Sequence, residues 1–517
     1  MKSFKRMISL VMALIMVLSL LAACGSESPT KGDATTTPSQ SAGTQEPPKG
    51  DPAEITWYLY TDYNFRDEGI VWDEINKYLK EKINVTVNAQ YLNYDDFFSK
   101  MPVMLSAGDA MDLVFTCSWL NEYVPGVAKG AFKPLNKLID EYAPKTKAHV
   151  PQALWDGVTI NGEIYCFPTY KEFGQQYGFL INKTYVDKYN LDVSNIKTYK
   201  DMEPLYEIVK KNEPDMVMIE APFPLERMLT KNHITGDIDL PGALNIPGIE
   251  AYTVKDDKIF NQYDTPEFKE FCVTMERWQK AGYLPSDTHY ETNTAPNDWR
   301  NGKVFSKGLT YAPNYEKQLT EERGYEHLYI PIGKTIVETA DTVGSATAIP
   351  WQSKNPEAAA KVMELVYTDK YMATMIRHGI ENKHWVKVDE NTVDFAPGQD
   401  SKDPGFDFGI GWELGSIYTA MLPKSYPKDT FEAYEKLNAS AIPAPALGFN
   451  FIGENVLTES SSIRNVLNEY RDPMLWGQVN IEEHYPKFLK ALKDAGVDRF
   501  IEEQQKQYDE WKAKKGK

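Results

Sequence analysis

Apolar positions after residue 53 switch repeatedly between a period of two and a period near 3.6. Ile55-Thr56-Trp57-Tyr58-Leu59-Tyr60 is rich in β-forming residues and stops at polar Thr61-Asp62, which predicts a strand. Val71, Ile75, Tyr78 and Leu79 then fall on one face of a helix running to Ile83. Asn84 to Val87 reads as a second strand, Phe97 to Leu105 as a short helix stopped at Gly108, and Asp112 to Thr116 as a third strand. The unbroken apolar run of that third strand suits a parallel strand covered on both faces. Such alternation predicts an α/β fold. Downstream, 158–165 reads as a hairpin turning at Asn161-Gly162, a type I′ pair. Gly178 to Asn182 is a further strand, and Leu309-Thr310-Tyr311 another. Thr198 caps a helix carrying Leu205, Ile208 and Val209. Thr265-Pro266-Glu267 starts a helix with Phe268, Phe271, Met275 and Trp278 on one face, ended by Gly282. Asn355-Pro356-Glu357 repeats that start signal, and 481–514 is amphipathic and helical.

The N-terminus follows another rule. Lys2, Lys5 and Arg6 precede an uncharged apolar run from Met7 to Ala23, too short for a spanning helix and placed as a secretion signal. The run closes on Leu21-Ala22-Ala23-Cys24, which resembles a bacterial lipobox. That resemblance implies acylation of Cys24, which becomes the mature N-terminus. From Gly25 to about Pro52 the chain is Ser-, Thr-, Pro- and Gly-rich, a composition that cannot bury a core and predicts a disordered tether. The expected organisation is a signal peptide over 1–23 and a lipidated Cys with its tether over 24–53.

Composition narrows the function. The net charge of −18 disfavours nucleic acid and electrostatic membrane docking. Some 460 folded residues exceed a single core, so two lobes are expected. Beyond Cys24, the widely spaced Cys117, Cys166 and Cys272 read as small buried hydrophobes. Gly333-Lys334-Thr335 lacks the upstream glycine of a P-loop, which is Leu328 here, and Gly409-Ile410-Gly411 lacks dinucleotide-loop spacing. No metal motif and no catalytic signature stands out, so neither cofactor nor metal is expected.

Several segments together resemble the family 1 extracellular solute-binding proteins of ABC importers. Met104 to Phe115 resembles a helix-to-strand passage "L-x-A-G-x-x-P-D-I-V-F", with Met111 where proline is usual. Gly130 to Leu135 resembles "G-x-L-x-P-L", Asn161 to Pro168 resembles "D/N-G-K-I-Y-G-L-P", and Ser353 to Ala359 resembles "S-K-N-P-E-A-A". Tyr177 to Lys183 is similar to the strand opening the second lobe. Gly448-Phe449-Asn450-Phe451 and Gln504 to Trp511 resemble the tail of LipO-type Gram-positive lipoproteins. The resemblance implies a type II periplasmic-binding-protein-like fold: two α/β lobes, a hinge, and a mostly helical C-terminal extension. Lobe one is expected over 54–173 with 304–338, and lobe two over 174–303 with 339–517. It also implies a monomer, anchored on the extracellular face, that closes on a solute and hands it to a permease. A secreted glycoside hydrolase and a peptide-binding protein of the same fold remain open alternatives.

Ligands of doubly wound sheets sit beyond the carboxyl ends of strands. That rule selects Tyr60 and Asp62, Trp119, Tyr170 and Glu172, and Tyr311 and Asn314. In sugar-binding family members the corresponding loops carry acids and aromatics, which favours Asp62, Trp119 and Glu172. Lobe two is expected to contribute Trp351, His384, Trp385, Trp412 and Asn450. Aromatic faces cover the apolar face of a pyranose while carboxylates and amides take its hydroxyls, so an oligosaccharide is the expected ligand. Trp278, on a helical apolar stripe, is expected in the core instead.

Overall fold

The computed structural model describes residues 50–220, 258–285 and 301–515, and the backbone of the strands Ala243–Ile246 and Ile249–Lys255. The signal segment, Cys24 and nearly all of the tether lie outside the described residues.

The first strand, Ala53–Tyr60, buries Ile55, Trp57 and Leu59 in strict alternation. It runs parallel to Val85–Leu92 on one side and Leu113–Thr116 on the other. The helix Glu68–Ile83 covers this sheet with Val71, Trp72, Ile75 and Leu79, and Asn84 ends it in the left-handed conformation. The helix Tyr94–Ala107 starts at Asn93, whose side chain accepts the Asp96 N–H, and stops at left-handed Gly108. Two short strands complete the sheet: Ala346–Ala348 lies antiparallel between Leu113–Thr116 and Cys166–Pro168.

A second five-stranded sheet is ordered Ile442–Pro443, His327–Val337, Gln175–Asn182, Val304–Thr310, Val217–Ile219. Its centre depends on Gly178, because a Cβ there would meet the Ile330 carbonyl oxygen at 2.2 Å. The helix Pro266–Lys280 buries Phe268, Phe271, Met275 and Trp278 against this sheet's core, as its spacing predicts. The helix after Thr198 differs in one position: Tyr206 is buried and Ile208 is exposed, and the chain enters that helix through a 3-10 turn, Tyr199–Met202.

The C-terminal region forms two helices, Ile481–Asp494 and Val497–Lys515, separated at left-handed Gly496. Phe488, Phe500 and Tyr508 join Phe449 and Phe451 in one core with Phe179, Phe305 and Trp278. The region therefore completes the second lobe from within.

Sheet pairing corrects the expected lobe boundaries. Strand Val304–Thr310, expected to return to lobe one, pairs antiparallel with Gln175–Asn182, setting Leu309 against Gly178. His327–Val337 flanks the same strand. The chain returns to the first sheet only at Ala346–Ala348, and the helix Pro356–Thr368 packs there beside Asn136–Tyr142 and Pro144–His149. Residues 346–414, expected in lobe two, thus bury Ala348, Val362, Phe406 and Leu414 in the first core. The local pattern located Gly178 to Asn182 and the end of Val304–Thr310 but not His327–Val337 or Ala346–Ala348, and a strand's period does not name its partner.

Candidate ligand-binding site

In the first sheet the parallel strands Ala53–Tyr60, Leu113–Thr116 and Cys166–Pro168 end on one edge, where Ala346–Ala348 begins. A tight turn follows Thr116. Cys117 Sγ accepts the Leu120 N–H at 3.0 Å, left-handed Asn121 closes the turn, and its Nδ2 donates to the Phe115 carbonyl at 2.8 Å. Trp119 stands at the tip, its indole N–H donating to the Gly344 carbonyl at 3.0 Å. The ring is fixed from its edge and remains 40 % exposed.

A loop from the far end of the sequence meets it. Buried Arg377 donates to the carbonyls of Ile410 at 2.8 Å, Ala373 at 2.9 Å, and Leu414. This holds 410–414 against the sheet edge and brings Trp412 within 6.1 Å of both Tyr60 and Trp119, between ring centroids. Tyr60 lies 5.8 Å from Trp119. Its hydroxyl donates to Asp62 at 2.6 Å, and burial and that carboxylate both raise its pKa. Asp62 also accepts the Tyr94 N–H at 3.1 Å, which leaves further lone pairs free for a ligand hydroxyl. Beside Trp412, Glu413 is 5 % exposed; burial raises its carboxyl to about 7, against the opposing pull of Arg377 and Lys171. Burial lowers Arg377 to about 10, so it stays cationic at neutral pH.

A second aromatic patch adjoins through the same loop. The Tyr170 N–H donates to Gly415 at 2.8 Å, and its ring lies 4.4 Å from Tyr418 and 5.4 Å from His149. Burial lowers the His149 pKa, against the opposing pull of Glu435, and so favours the neutral ring. Glu172 pairs with Lys171 at 3.2 Å.

The other expected residues lie elsewhere. Tyr311 stacks on Tyr329 at 4.4 Å and lines a cavity of about 540 Å³ in the second lobe with Gln176, Thr335 and Lys436. Asn314 is buried, donating to Thr430 at 3.4 Å and accepting from Lys317 at 2.9 Å. Trp351 follows a strand antiparallel to Leu113–Thr116, which carries it to the opposite edge of the sheet, under Lys133 at 4.9 Å. Trp385 is core: its indole donates to Gly379 at 2.9 Å and it packs with Val393 and Met421. His384 is buried too. Its Nδ1 accepts the Ile380 N–H at 2.9 Å, so Nε2 donates to Asp67 at 3.1 Å. Burial lowers the His384 pKa; burial alone would raise that of Asp67, but bonds from His384 and Arg66 hold it below the usual range. Asn450 spans the lobes, its amide reaching the Thr159 carbonyl at 3.4 Å, and lines a groove of about 1000 Å³ with Trp511 and Glu503.

Sequence reasoning missed Tyr94 and Phe98, which extend the cluster beyond Trp119, and Tyr418 and His149, which complete the second patch. Tyr94 and Phe98 carry a detectable signal, since their i, i+4 spacing puts two aromatics on one helical face. Tyr418 and His149 carry none, because only the folded loop brings them to Tyr170.

Residues 74–380 match the bacterial extracellular solute-binding protein family, and 445–513 match a domain of unknown function (DUF3502). A carbohydrate ABC transporter substrate-binding protein of Streptococcus pneumoniae serotype 4 is 28 % identical over 441 residues, covering 84 % of this chain and 86 % of its own. The crystal structure of the N-glycan transport solute binding protein NgtS from Streptococcus pneumoniae superposes with a TM-score of 0.75 at 25 % identity, over 89 % of this chain and 98 % of that one. NgtS in complex with Man5GlcNAc gives 0.66 at 25 % identity, over 89 % and 98 % of the two chains.

Proposed function

The chain belongs to the bacterial extracellular solute-binding protein family, and from that premise we propose that it captures an oligosaccharide between its lobes and delivers it to an ABC transporter permease. The observation that carries the ligand class is the cluster of Tyr60, Trp119 and Trp412 beside Asp62 on the carboxyl edge of the first sheet. Aromatic faces next to an acceptor-rich carboxylate suit a neutral sugar better than an anion. The NgtS complexes with Man1GlcNAc and Man5GlcNAc support the same class at 25 % identity.

In this reading Trp119 and Trp412 stack on sugar rings, and Asp62 and Glu172 accept hydroxyl hydrogen bonds. The protein works as a monomer, tethered through acylated Cys24 on the outer face of the membrane. It does not hydrolyse its ligand. A glycosidase needs one carboxylic acid and one carboxylate free to act on a single bond. The relatives that match over most of this chain are substrate-binding proteins of transport systems, which supports binding without turnover.

Titration calorimetry of the mature protein against soluble oligosaccharides and peptides tests the proposal, with scattering to follow lobe closure and a reducing-end assay to detect turnover. Saturable glycan binding with compaction and no new reducing ends is expected. Peptide binding alone, or turnover abolished by one carboxylate substitution, would refute it.

A further inference from the structure

The aromatic cluster does not end at the sheet edge. Tyr94 lies 6.3 Å from Trp119 with ring planes 5° apart, and Phe98 lies 6.3 Å from Tyr94 at 9°. Such parallel rings at this separation are offset, as treads of a stair are, so each leaves part of its face uncovered. Exposure rises along the row, from 37 % at Trp412 and 40 % at Trp119 to 43 % at Tyr94 and 68 % at Phe98. Folding alone gives no reason to hold four large aromatics in a row with their faces in water. A contiguous apolar strip of this kind marks a binding surface.

The surroundings select the occupant. Asp62 flanks the strip, its carboxylate accepting the Tyr94 N–H at 3.1 Å. Carboxylate oxygens beside ring faces match hydroxyls around the apolar face of a sugar. They repel an acidic peptide or a phosphate. The strip is also continuous with the Trp119–Trp412 cluster, so whatever enters the cleft can run out along it.

We propose that Trp412, Trp119, Tyr94 and Phe98 form successive subsites for one neutral oligosaccharide. The ligand is then a chain of several sugar units whose outer part lies on the helix Tyr94–Ala107, and a mono- or disaccharide fills only the inner end. The proposal rests on the oligosaccharide reading above, and it adds ligand length and two residues, Tyr94 and Phe98, that determine it.

The test titrates the mature protein and its variants with manno-, gluco- and galacto-oligosaccharides from disaccharide to hexasaccharide, and with Man1GlcNAc and Man5GlcNAc. Phe98→Ala should weaken the longest ligand bound by roughly 5- to 150-fold, by analogy with the loss of a base–aromatic stack, and leave the shortest unchanged. Phe98→Tyr keeps a ring and should retain the affinity. Trp119→Ala should weaken every length. Phe98 is exposed, so its substitution leaves the fold intact, and a melting curve checks this. If Phe98→Ala changes all lengths equally or none, the subsites are refuted while the receptor reading stands. If binding is untouched but glycan uptake by cells falls, the strip contacts the permease and the proposal is overturned. If no glycan binds the unsubstituted protein, both readings fall together.

Discussion

Trp119 and Trp278 bear the same side chain and do opposite things. Trp278 sits on the apolar stripe of Pro266–Lys280 with no exposure, edge-on to Tyr206 at 5.1 Å. Trp278→Ala should lower stability by about 3–5 kcal/mol and leave the affinity of the folded fraction unchanged. Trp119→Ala should weaken glycan binding by roughly 5- to 150-fold with little change in Tm. Calorimetry paired with melting curves separates the two, and collapse of the fold on losing Trp119 would make it a core residue. Glu413 adds a pH dependence. Its carboxyl is raised to about 7 in the folded protein from an ordinary 4.5. Below about pH 4.5 both states hold the proton and this contribution is fully present. Between 4.5 and about 7 the unfolded chain loses the proton first, so stability falls as pH rises, by up to about 3 kcal/mol. Glu413→Gln should flatten that slope in denaturation curves recorded at pH 5 and pH 8. An unchanged slope would assign it to other groups.

At the scale of elements, sequence signals located the elements with clear periods and caps, such as Ala53–Tyr60, Glu68–Ile83 and Pro266–Lys280, and tertiary contacts decided their use. Thr265, Pro266 and Gly282 bracket a helix because capping, φ and left-handed geometry are local properties. The helix Thr430–Ser440 illustrates the other case. Its Asn438 carbonyl oxygen accepts the N–H groups of Phe173 at 2.8 Å and Gly174 at 3.0 Å, while its amide donates to the Lys171 carbonyl and the Tyr418 hydroxyl, each at 3.1 Å. This pins the passage from the first sheet into Gln175–Asn182. Asn438→Ala leaves those two N–H groups unpaired and should cost about 1–3 kcal/mol. Asn438→Asp retains both acceptor bonds and should cost less. Equal losses in chemical denaturation would show that the amide donations dominate.

At the scale of the molecule, the region matching a domain of unknown function is part of the second core. Deleting 445–517 should therefore abolish cooperative unfolding of the second lobe, because Phe449, Phe488, Phe500 and Tyr508 leave together. A truncated protein with a sharp, native-like melting transition would contradict this. Ligand at 100 times Kd should stabilise the intact protein by about 2.7 kcal/mol, readable as a shift in Tm. Cys24→Ala should release the mature chain into the medium, and an acyl group found by mass spectrometry on the unsubstituted protein would confirm the anchor chemistry.

The sequence by itself determined the α/β class and the family resemblance, and it pointed to Tyr60, Asp62 and Trp119, one end of the proposed site. Each of these depends on short-range information: period, caps, turn residues, and polar groups following a strand. Tertiary structure alone decided which sheet each strand joined. That choice moved Val304–Thr310 into the second lobe and 346–414 into the first. It also separated the remaining tryptophans, burying Trp385, sending Trp351 to the far edge, and bringing Trp412 to Trp119 through a loop held by Arg377. Aromatic side chains gain much the same burial in a core as against a ligand, so composition cannot distinguish the two. Only the packing of neighbouring segments determines which rings keep a face in water.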